Sequence, residues 1–317
     1  MYRENSLYKT KFNSLLSQGE KSEFFGDLLL QVWAMCESMG FKEREVAIST
    51  FHTFWLPTAL DLATAGQKLD RTLIQGILGG QGTGKSTLCI VLKLILNYLG
   101  LTVANLSIDD LYLTHHQRQE LRQQDPRMIW RGPPGTHDIA LGIEVIERCL
   151  QPDKSNDILL PRFDKSAYNG SGDRANFETI AKPDILLFEG WFVGVQPLEE
   201  SYFDNPPHPI VTPEDIQFAK DNNQRLQAYL PLWDKLDRLI VLYPEDYRLS
   251  KQWRKEAEHK MMASGKTGMS DCEIDRFVEY FWQSLHPELF IKPLLKTADL
   301  VVEIKNDRTL GKIYRND

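Results

Sequence analysis

Residues 79–86 constrain this chain more than any other stretch, because they fit the pattern Gly, any four residues, Gly, Lys, Ser or Thr. The apolar run 73–78 before them is typical of a buried strand, and the largely aliphatic run 87–97 after them is typical of a buried helix. Strand, glycine-rich loop and helix form the context that this motif requires. The sequence therefore predicts a loop that binds the phosphates of a nucleoside triphosphate.

The physical basis of that prediction lies in the backbone. Glycines let amide groups turn toward phosphate oxygens, and the following helix points its positive end at the anion. Lys85 can then reach the β- and γ-phosphates, and the hydroxyl of Ser86 can ligate Mg²⁺. The predicted triphosphate-binding residues are Gly79, Gly80, Gln81, Gly82, Thr83, Gly84, Lys85, Ser86 and Thr87.

Composition narrows the class of protein. With 317 residues the chain can hold one large α/β domain or two small ones. A net charge of −7 without a long basic run argues against a nucleic-acid-binding protein. The four cysteines are scattered, which favours reduced thiols over disulfides or a zinc site. Because the longest apolar stretch, 88–103, is interrupted by polar residues, we expect a soluble cytoplasmic protein without a membrane segment.

The order of elements predicts an α/β fold. Helical periodicity in residues 20–65 predicts a helical N-terminal extension over 1–67 that packs on a nucleotide-binding domain over 68–317. Strands that alternate with helices predict a doubly wound, mainly parallel sheet. The five predicted strands are 73–78, 101–106, 184–188, 236–243 and 298–304.

Acidic residues follow two of these strands. Asp109 and Asp110 come after the second strand, and Glu189 ends the third. Ligands of such sheets bind at the carboxyl ends of the strands, so these acids should lie near the phosphates. Phosphoryl transfer needs a carboxylate near Mg²⁺ and another within reach of the acceptor hydroxyl. The sequence does not divide these roles among the three residues.

Cations are the other requirement, because charge spreads over the transferring phosphoryl oxygens. A dense polar loop, 161–174, suggests an anion pocket for a small carboxylate. A charged helical stretch, 247–262, either reaches the phosphates or forms a solvated surface. His137 either fixes a turn or contacts a substrate. The cationic candidates are Arg162, Lys165 and Arg174 in the loop and Arg248, Arg254 and Lys255 on the helix.

Several motifs together resemble a known family. The Ser-Ile-Asp-Asp-Leu-Tyr run at 107–112 resembles a motif of the uridine kinase, phosphoribulokinase and pantothenate kinase superfamily. More narrowly, the segments 131–138, 161–174 and 188–194 resemble the D-glycerate 3-kinase family of plants, cyanobacteria and fungi, as do 232–237, 252–254 and 268–271. The resemblance spans about residues 70–305. It implies a P-loop kinase with strand order 2-3-1-4-5, a helical lid near 245–290, and ATP-dependent phosphorylation of D-glycerate to 3-phosphoglycerate in photorespiratory salvage.

The resemblance also implies roles for individual residues. Asp109 matches the catalytic carboxylate, although Leu111 replaces the usual Phe two residues later. Arg254 would be the lid arginine, with Arg248 as second choice. Ser86 and Glu189 would hold Mg²⁺, directly or through water, and Lys85 would act in transfer. The implied substrate-binding residues are Tyr112, Arg131, His137, Arg162, Lys165 and Arg174.

Two alternatives stay open. The chain could be a kinase of the same superfamily that acts on another small hydroxylated metabolite. It could also be a P-loop ATP-binding regulator, in which hydrolysis drives a conformational change and the N-terminal helices bind a partner. The polar loop at 161–174 speaks against the regulator, because a switch protein needs no acceptor pocket.

Overall fold

A computed structural model describes residues 18–152, 157–263, 265 and 268–316. The first part of the predicted N-terminal extension, 1–17, lies outside the described residues. Within them the strands, in chain order, are β1 (Leu73–Gly79), β2 (Val103–Ser107), β3 (Ile158–Leu160), β4 (Phe163–Asp164), β5 (Asp173–Arg174), β6 (Glu178–Ile180), β7 (Ile185–Gly190), β8 (Arg238–Pro244), β9 (Leu300–Ile304) and β10 (Leu310–Tyr314).

The central sheet has six strands in the order β10-β9-β8-β1-β7-β2. β1 lies between β7 and β8. The pairs β2–β7, β7–β1, β1–β8 and β8–β9 are all parallel. The predicted number of five strands is wrong, because β10 adds an antiparallel edge strand beside β9. Its residues are half-buried or exposed, so the sequence lacks the buried pattern by which the other strands were predicted.

Among the described residues, three helices precede β1, and the others lie between later strands. In chain order the helices are α1 (Gln18–Ser38), α2 (Arg44–Thr50), α3 (Leu56–Gln67), α4 (Lys85–Tyr98), α5 (His115–Gln124), α6 (Ile139–Leu150), α7 (Pro213–Arg225), α8 (Leu230–Trp233), α9 (Leu249–Ala263), α10 (Asp271–Ser284) and α11 (Pro287–Phe290). A π-helical turn, Phe51–Trp55, joins α2 to α3. None of these helices is long and apolar enough to span a bilayer.

Two hydrophobic cores cover the two faces of the sheet. Side chains of β1 alternate between them. Ile74 and Leu78 enter one core, and Leu73 and Ile77 enter the other. All seven residues of β1 are buried, as a central parallel strand requires. Helices on both faces make the sheet doubly wound, as the sequence predicts.

The N-terminal helices share the second of these cores. Leu28 and Val32 of α1 and Leu62 of α3 are buried in the same cluster as Leu92 and Ile95 of α4. Helix α4 begins directly after the glycine-rich loop. The described part of the N-terminal segment therefore supports the helix that carries the loop.

Candidate active site

The glycine-rich loop joins β1 to α4 at the carboxyl edge of the sheet. Gly82 and Gly84 both have left-handed backbone angles, with φ of 81° and 87°. Residues with a Cβ adopt this region at a cost, which explains the glycines there. Thr83 closes the turn by donating from Oγ1 to the carbonyl of Gly80 at 2.9 Å. The loop thus leads into the first turn of α4 with its backbone amides available to an anion.

The last two residues of the motif converge on the acid that ends β7. Ser86 donates from its hydroxyl to Oε1 of Glu189 at 3.3 Å, and Nζ of Lys85 lies 3.9 Å from Oε2. That Oε2 atom is buried and has no hydrogen-bond partner within the described chain. Because Mg²⁺ in nucleotide sites takes oxygen ligands from one or two side chains and from the phosphates, these oxygens fit Mg²⁺.

Asp109 and Asp110 follow β2 on a 3₁₀ turn, Ile108–Leu111, and point to different environments. Asp110 turns back and accepts from the amide of Ser107 at 3.0 Å, so it caps the turn. It also pairs with Arg162 at 3.0 Å. Asp109 instead lines the cavity that the glycine-rich loop also lines. The structure thus shows Asp110 capping the turn and Asp109 facing the cavity.

Two donors hold the carboxylate of Asp109. Tyr112 donates its hydroxyl to Oδ1 at 2.8 Å, and Lys165 donates from Nζ to Oδ2 at 2.6 Å. Burial alone would raise the pKa of Asp109, but the charge and hydrogen bond of Lys165, followed by Lys85 and Tyr112, outweigh it. The pKa of Asp109 therefore lies below its ordinary value, and the group is ionised at neutral pH. The pKa of Asp110 is raised, mainly by burial.

These groups lie in one cavity of about 710 Å³. The loop residues Lys85 and Ser86 share it with Asp109 and Glu189. Its remaining walls combine cations with aromatic rings, namely Arg131, Lys165 and Arg254 with Trp130, Trp191 and Phe281. A triphosphate on the loop would therefore meet an acceptor beside Asp109, between positive and aromatic walls.

The polar loop is a small hairpin that reaches over this cavity. Phe163 pairs with Arg174 and Asp164 with Asp173, so β4 and β5 are antiparallel. Arg131 holds the tip of the hairpin by donating from Nη1 to the carbonyls of Gly170 and Ser171, at 2.7 and 2.9 Å. Both Arg131 and Lys165 therefore present positive charge to the cavity from a fixed backbone.

Three residues that the sequence proposes for substrate binding do not line that cavity. The guanidinium of Arg162 lies between Asp110 and Glu178, and that of Arg174 pairs with Asp138 at 2.9 Å. Arg162 holds the start of the hairpin to the turn after β2, and Arg174 holds it to the N-terminus of α6, so neither faces the cavity.

His137 is the third. It is buried, stacks on Tyr112 with ring centroids 4.7 Å apart, and lies 2.7 Å through Nδ1 from the hydroxyl of Tyr229. Burial lowers the pKa of His137 to about 3, so the ring is neutral. His137 therefore supports Tyr112 from behind.

The charged helix α9 packs directly on the glycine-rich loop. Trp253 is buried against Gly82 and donates from Nε1 to the carbonyl of Asn306 at 3.1 Å. Arg254, the next residue, lines the cavity, pairs with Glu258 at 2.8 Å and lies over the ring of Phe277. By contrast, Arg248 is 70% exposed and pairs with Asp246. Arg254, the first choice of lid arginine, therefore lines the cavity, whereas Arg248, the second choice, lies on the surface.

Sequence reasoning missed the aromatic wall and the ion pair between Lys165 and Asp109. Trp130, Trp191 and Phe281 come from three separate segments, and each alone is indistinguishable from a core residue in the sequence. The only usable signal was that Trp191 directly follows the Glu-Gly pair after β7.

Sequence and structure comparisons relate the chain to known kinases. No protein-family model matches the chain. It is 33% identical over 257 residues to the chloroplastic D-glycerate 3-kinase of Arabidopsis thaliana, a match that covers 77% of this chain and 54% of that protein. It therefore spans about half the length of this relative. It is also 32% identical over 219 residues to an uncharacterized kinase of Schizosaccharomyces pombe, covering 67% of this chain and 79% of that one.

A solved structure is also similar. The D-glycerate 3-kinase of Cryptococcus neoformans superposes with a TM-score of 0.71 at 26% identity, covering 83% of this chain and 99% of that one. The glycine-rich loop, the acids at the carboxyl ends of β2 and β7 and the doubly wound sheet are what a kinase of this fold requires. The chain therefore belongs to the family of P-loop kinases that includes the D-glycerate 3-kinases.

Proposed function

We propose that this protein transfers the γ-phosphoryl group of ATP to the terminal hydroxyl of D-glycerate, which yields 3-phosphoglycerate. The observation that carries the proposal is the position of Asp109, which shares one cavity with Lys85 and Ser86 and with two cations that suit a carboxylate. The names of the similar kinases from Arabidopsis and Cryptococcus support D-glycerate as the acceptor.

The loop residues bind and orient the triphosphate. Backbone amides of 79–87 surround the phosphates, and Lys85 stabilises the charge that develops on the β- and γ-phosphoryl oxygens. Ser86 and Glu189 would hold Mg²⁺, directly or through water, and the ion would neutralise phosphate charge there. Arg254 adds a positive charge to the cavity from α9.

Asp109 orients the acceptor. Its carboxylate accepts the hydrogen bond of the terminal hydroxyl and takes the proton as the new bond to phosphorus forms. Tyr112 keeps that carboxylate in place through its 2.8 Å hydrogen bond. For the carboxylate of D-glycerate we propose Lys165 and Arg131, because both line the cavity, whereas Arg162 and Arg174 are held by carboxylates outside it.

A panel of acceptors tests the proposal. ATP consumption would be measured with D-glycerate, pantothenate, uridine, ribulose 5-phosphate and shikimate, and kcat/KM compared. We expect D-glycerate to be preferred by a large factor. Preference for another compound would overturn the acceptor and leave the kinase class standing. ATP turnover indifferent to every acceptor would instead favour a P-loop regulator.

We also propose a cytoplasmic location, supported by four cysteines that are all free. The Arabidopsis relative is chloroplastic, so a fluorescent fusion in cells of the source organism is the direct test. Fluorescence confined to an organelle would contradict it.

A further inference from the structure

The ion pair between Lys165 and Asp109 occupies the atom that the acceptor hydroxyl must reach. Nζ of Lys165 lies 2.6 Å from Oδ2, while Oδ1 is taken by Tyr112. A carboxylate held by an ammonium is a weaker base and is partly covered. Water and acceptors alike therefore meet a base that is already engaged.

We propose that Lys165 restrains Asp109 until an acceptor with a carboxylate draws the ammonium away, so that Lys165 determines specificity as well as binding. The inference rests on the proposed function, because it supposes an anionic acceptor beside Asp109. In the free protein the ammonium stays on Oδ2. In the complex the ammonium of Lys165 pairs with the carboxylate of the acceptor instead. The terminal hydroxyl of the acceptor then donates to Oδ2 of Asp109.

The structure allows this exchange to involve a side chain alone. Lys165 follows β4 in the hairpin, whose backbone is held by the pairing of β4 with β5 and by Arg131. Ser166 also ties the turn by donating its amide and hydroxyl to Asp164. The side chain of Lys165 itself is 61% exposed, so it can move without displacing buried neighbours. A flexible four-carbon stem is suited to such a swing.

The exposure of the two paired residues and the charge of the cavity also suit this exchange. Asp109 is less exposed than Lys165, at 30%, so the carboxylate is the fixed member of the pair. Arg131 lines the same cavity and contacts the hairpin that carries Lys165, so it adds positive charge for an acceptor carboxylate. Acceptors without a negative charge offer nothing to the ammonium and leave Asp109 restrained.

The restraint has a consequence for water. Without an acceptor, water can attack the γ-phosphorus of bound ATP: its proton passes to Asp109, the new P–O bond forms, the bond to the β-phosphate oxygen breaks, and ADP leaves. An engaged Asp109 suppresses this hydrolysis. Loss of the ammonium should release the base and raise the rate.

The test is ATP hydrolysis with Mg²⁺ and no acceptor. We expect Lys165→Met to raise this rate by about tenfold or more, given the usual worth of a positioned base. Lys165→Arg keeps the charge and should keep the rate low. Lys235→Met is the matched control, since Lys235 forms a 2.7 Å pair with Glu147 outside the cavity, and it should behave as the wild type.

A second measurement compares D-glycerate with glycerol, which lacks the carboxylate. The ratio of their kcat/KM values should fall in Lys165→Met. An unchanged or lower rate of hydrolysis in Lys165→Met, in protein with a wild-type melting temperature, overturns the inference and leaves Lys165 as a simple carboxylate ligand. If the wild type ignores D-glycerate while Lys165→Met still hydrolyses ATP faster, the proposed acceptor fails and the restraint stands.

Discussion

At the scale of single residues, two neighbouring acids behave in opposite ways. Asp109 has a lowered pKa because cations and Tyr112 outweigh burial, and Asp110 has a raised pKa because burial dominates. The difference comes from the 3₁₀ turn, which points one side chain to the cavity and folds the other back on the backbone of Ser107. Only the first faces the cavity.

Replacement of Asp109 by Asn should therefore slow phosphoryl transfer without weakening the binding of ATP. The amide cannot accept the hydroxyl proton, so we expect kcat to fall about 10²-fold or more, with ATP affinity roughly intact. Steady-state kinetics and nucleotide titration measure the two quantities. Asp234→Asn, at an exposed position outside the cavity, is the control. Near-normal turnover in Asp109→Asn would remove this residue from the mechanism.

The residue scale also shows what the sequence could predict. Local spacing predicted the glycine-rich loop, and the carboxyl ends of the strands predicted that Asp109 and Glu189 lie beside it, because both signals depend on nearby chain. The partners of Arg162 and Arg174 could not be predicted, since Asp110 and Asp138 reach them through tertiary contacts. A cation in a loop has the same sequence signal whether it binds a ligand or a distant carboxylate.

At the scale of elements, Trp253 of α9 packs against the glycine-rich loop. A Cβ added at Gly82 would lie 2.6 Å from Cβ of Trp253, closer than real atoms approach. Gly84 has a similar backbone conformation but no heavy atom within 4 Å of such a Cβ. The two glycines therefore separate the cost of backbone strain from the cost of crowding by α9.

We expect Gly84→Ala to lower the free energy of unfolding by about 1–2 kcal/mol, the cost of a left-handed residue with a Cβ. Gly82→Ala should lose about 1–3 kcal/mol more, because overpacking against Trp253 adds to the same strain. Urea denaturation of the protein without nucleotide measures both. Equal losses in the two variants would show that α9 does not rest on the loop.

Elements were predicted well where burial sets their pattern. The parallel strands β1 and β7 are almost wholly buried and β8 is buried through its centre, so their apolar runs stand out in the sequence. β10 is an exposed edge strand, and the two-residue strands β4 and β5 are too short for any periodicity. Pairing with a neighbouring strand, not local composition, produces those three.

At the scale of the whole molecule, two histidines are buried in neutral form. His286 accepts at Nδ1 from the amide of Glu288 and donates from Nε2 to the carbonyl of His208. Burial lowers its pKa to about 4 and that of His137 to about 3. Both therefore favour the deprotonated ring in the folded state, whereas the unfolded chain binds protons near pH 6.5.

Acid should accordingly destabilise the protein before its carboxylates titrate. The stability linked to these rings is fully present above about pH 6.5 and is lost as the pH falls toward 4 and 3. At pH 5 each ring should cost on the order of 2 kcal/mol. Urea unfolding at pH 7 and pH 5 measures the difference. A protein as stable at pH 5 as at pH 7 would show that these rings are not held neutral.

We propose that a triphosphate on residues 79–87 faces an acceptor hydroxyl beside Asp109. A crystal structure with a non-hydrolysable ATP analogue, Mg²⁺ and D-glycerate tests it most directly. We predict the triphosphate within the glycine-rich loop and the terminal hydroxyl oxygen about 3 Å from the carboxylate of Asp109. A hydroxyl bound beyond hydrogen-bond reach of Asp109, or a triphosphate bound elsewhere, would contradict the account.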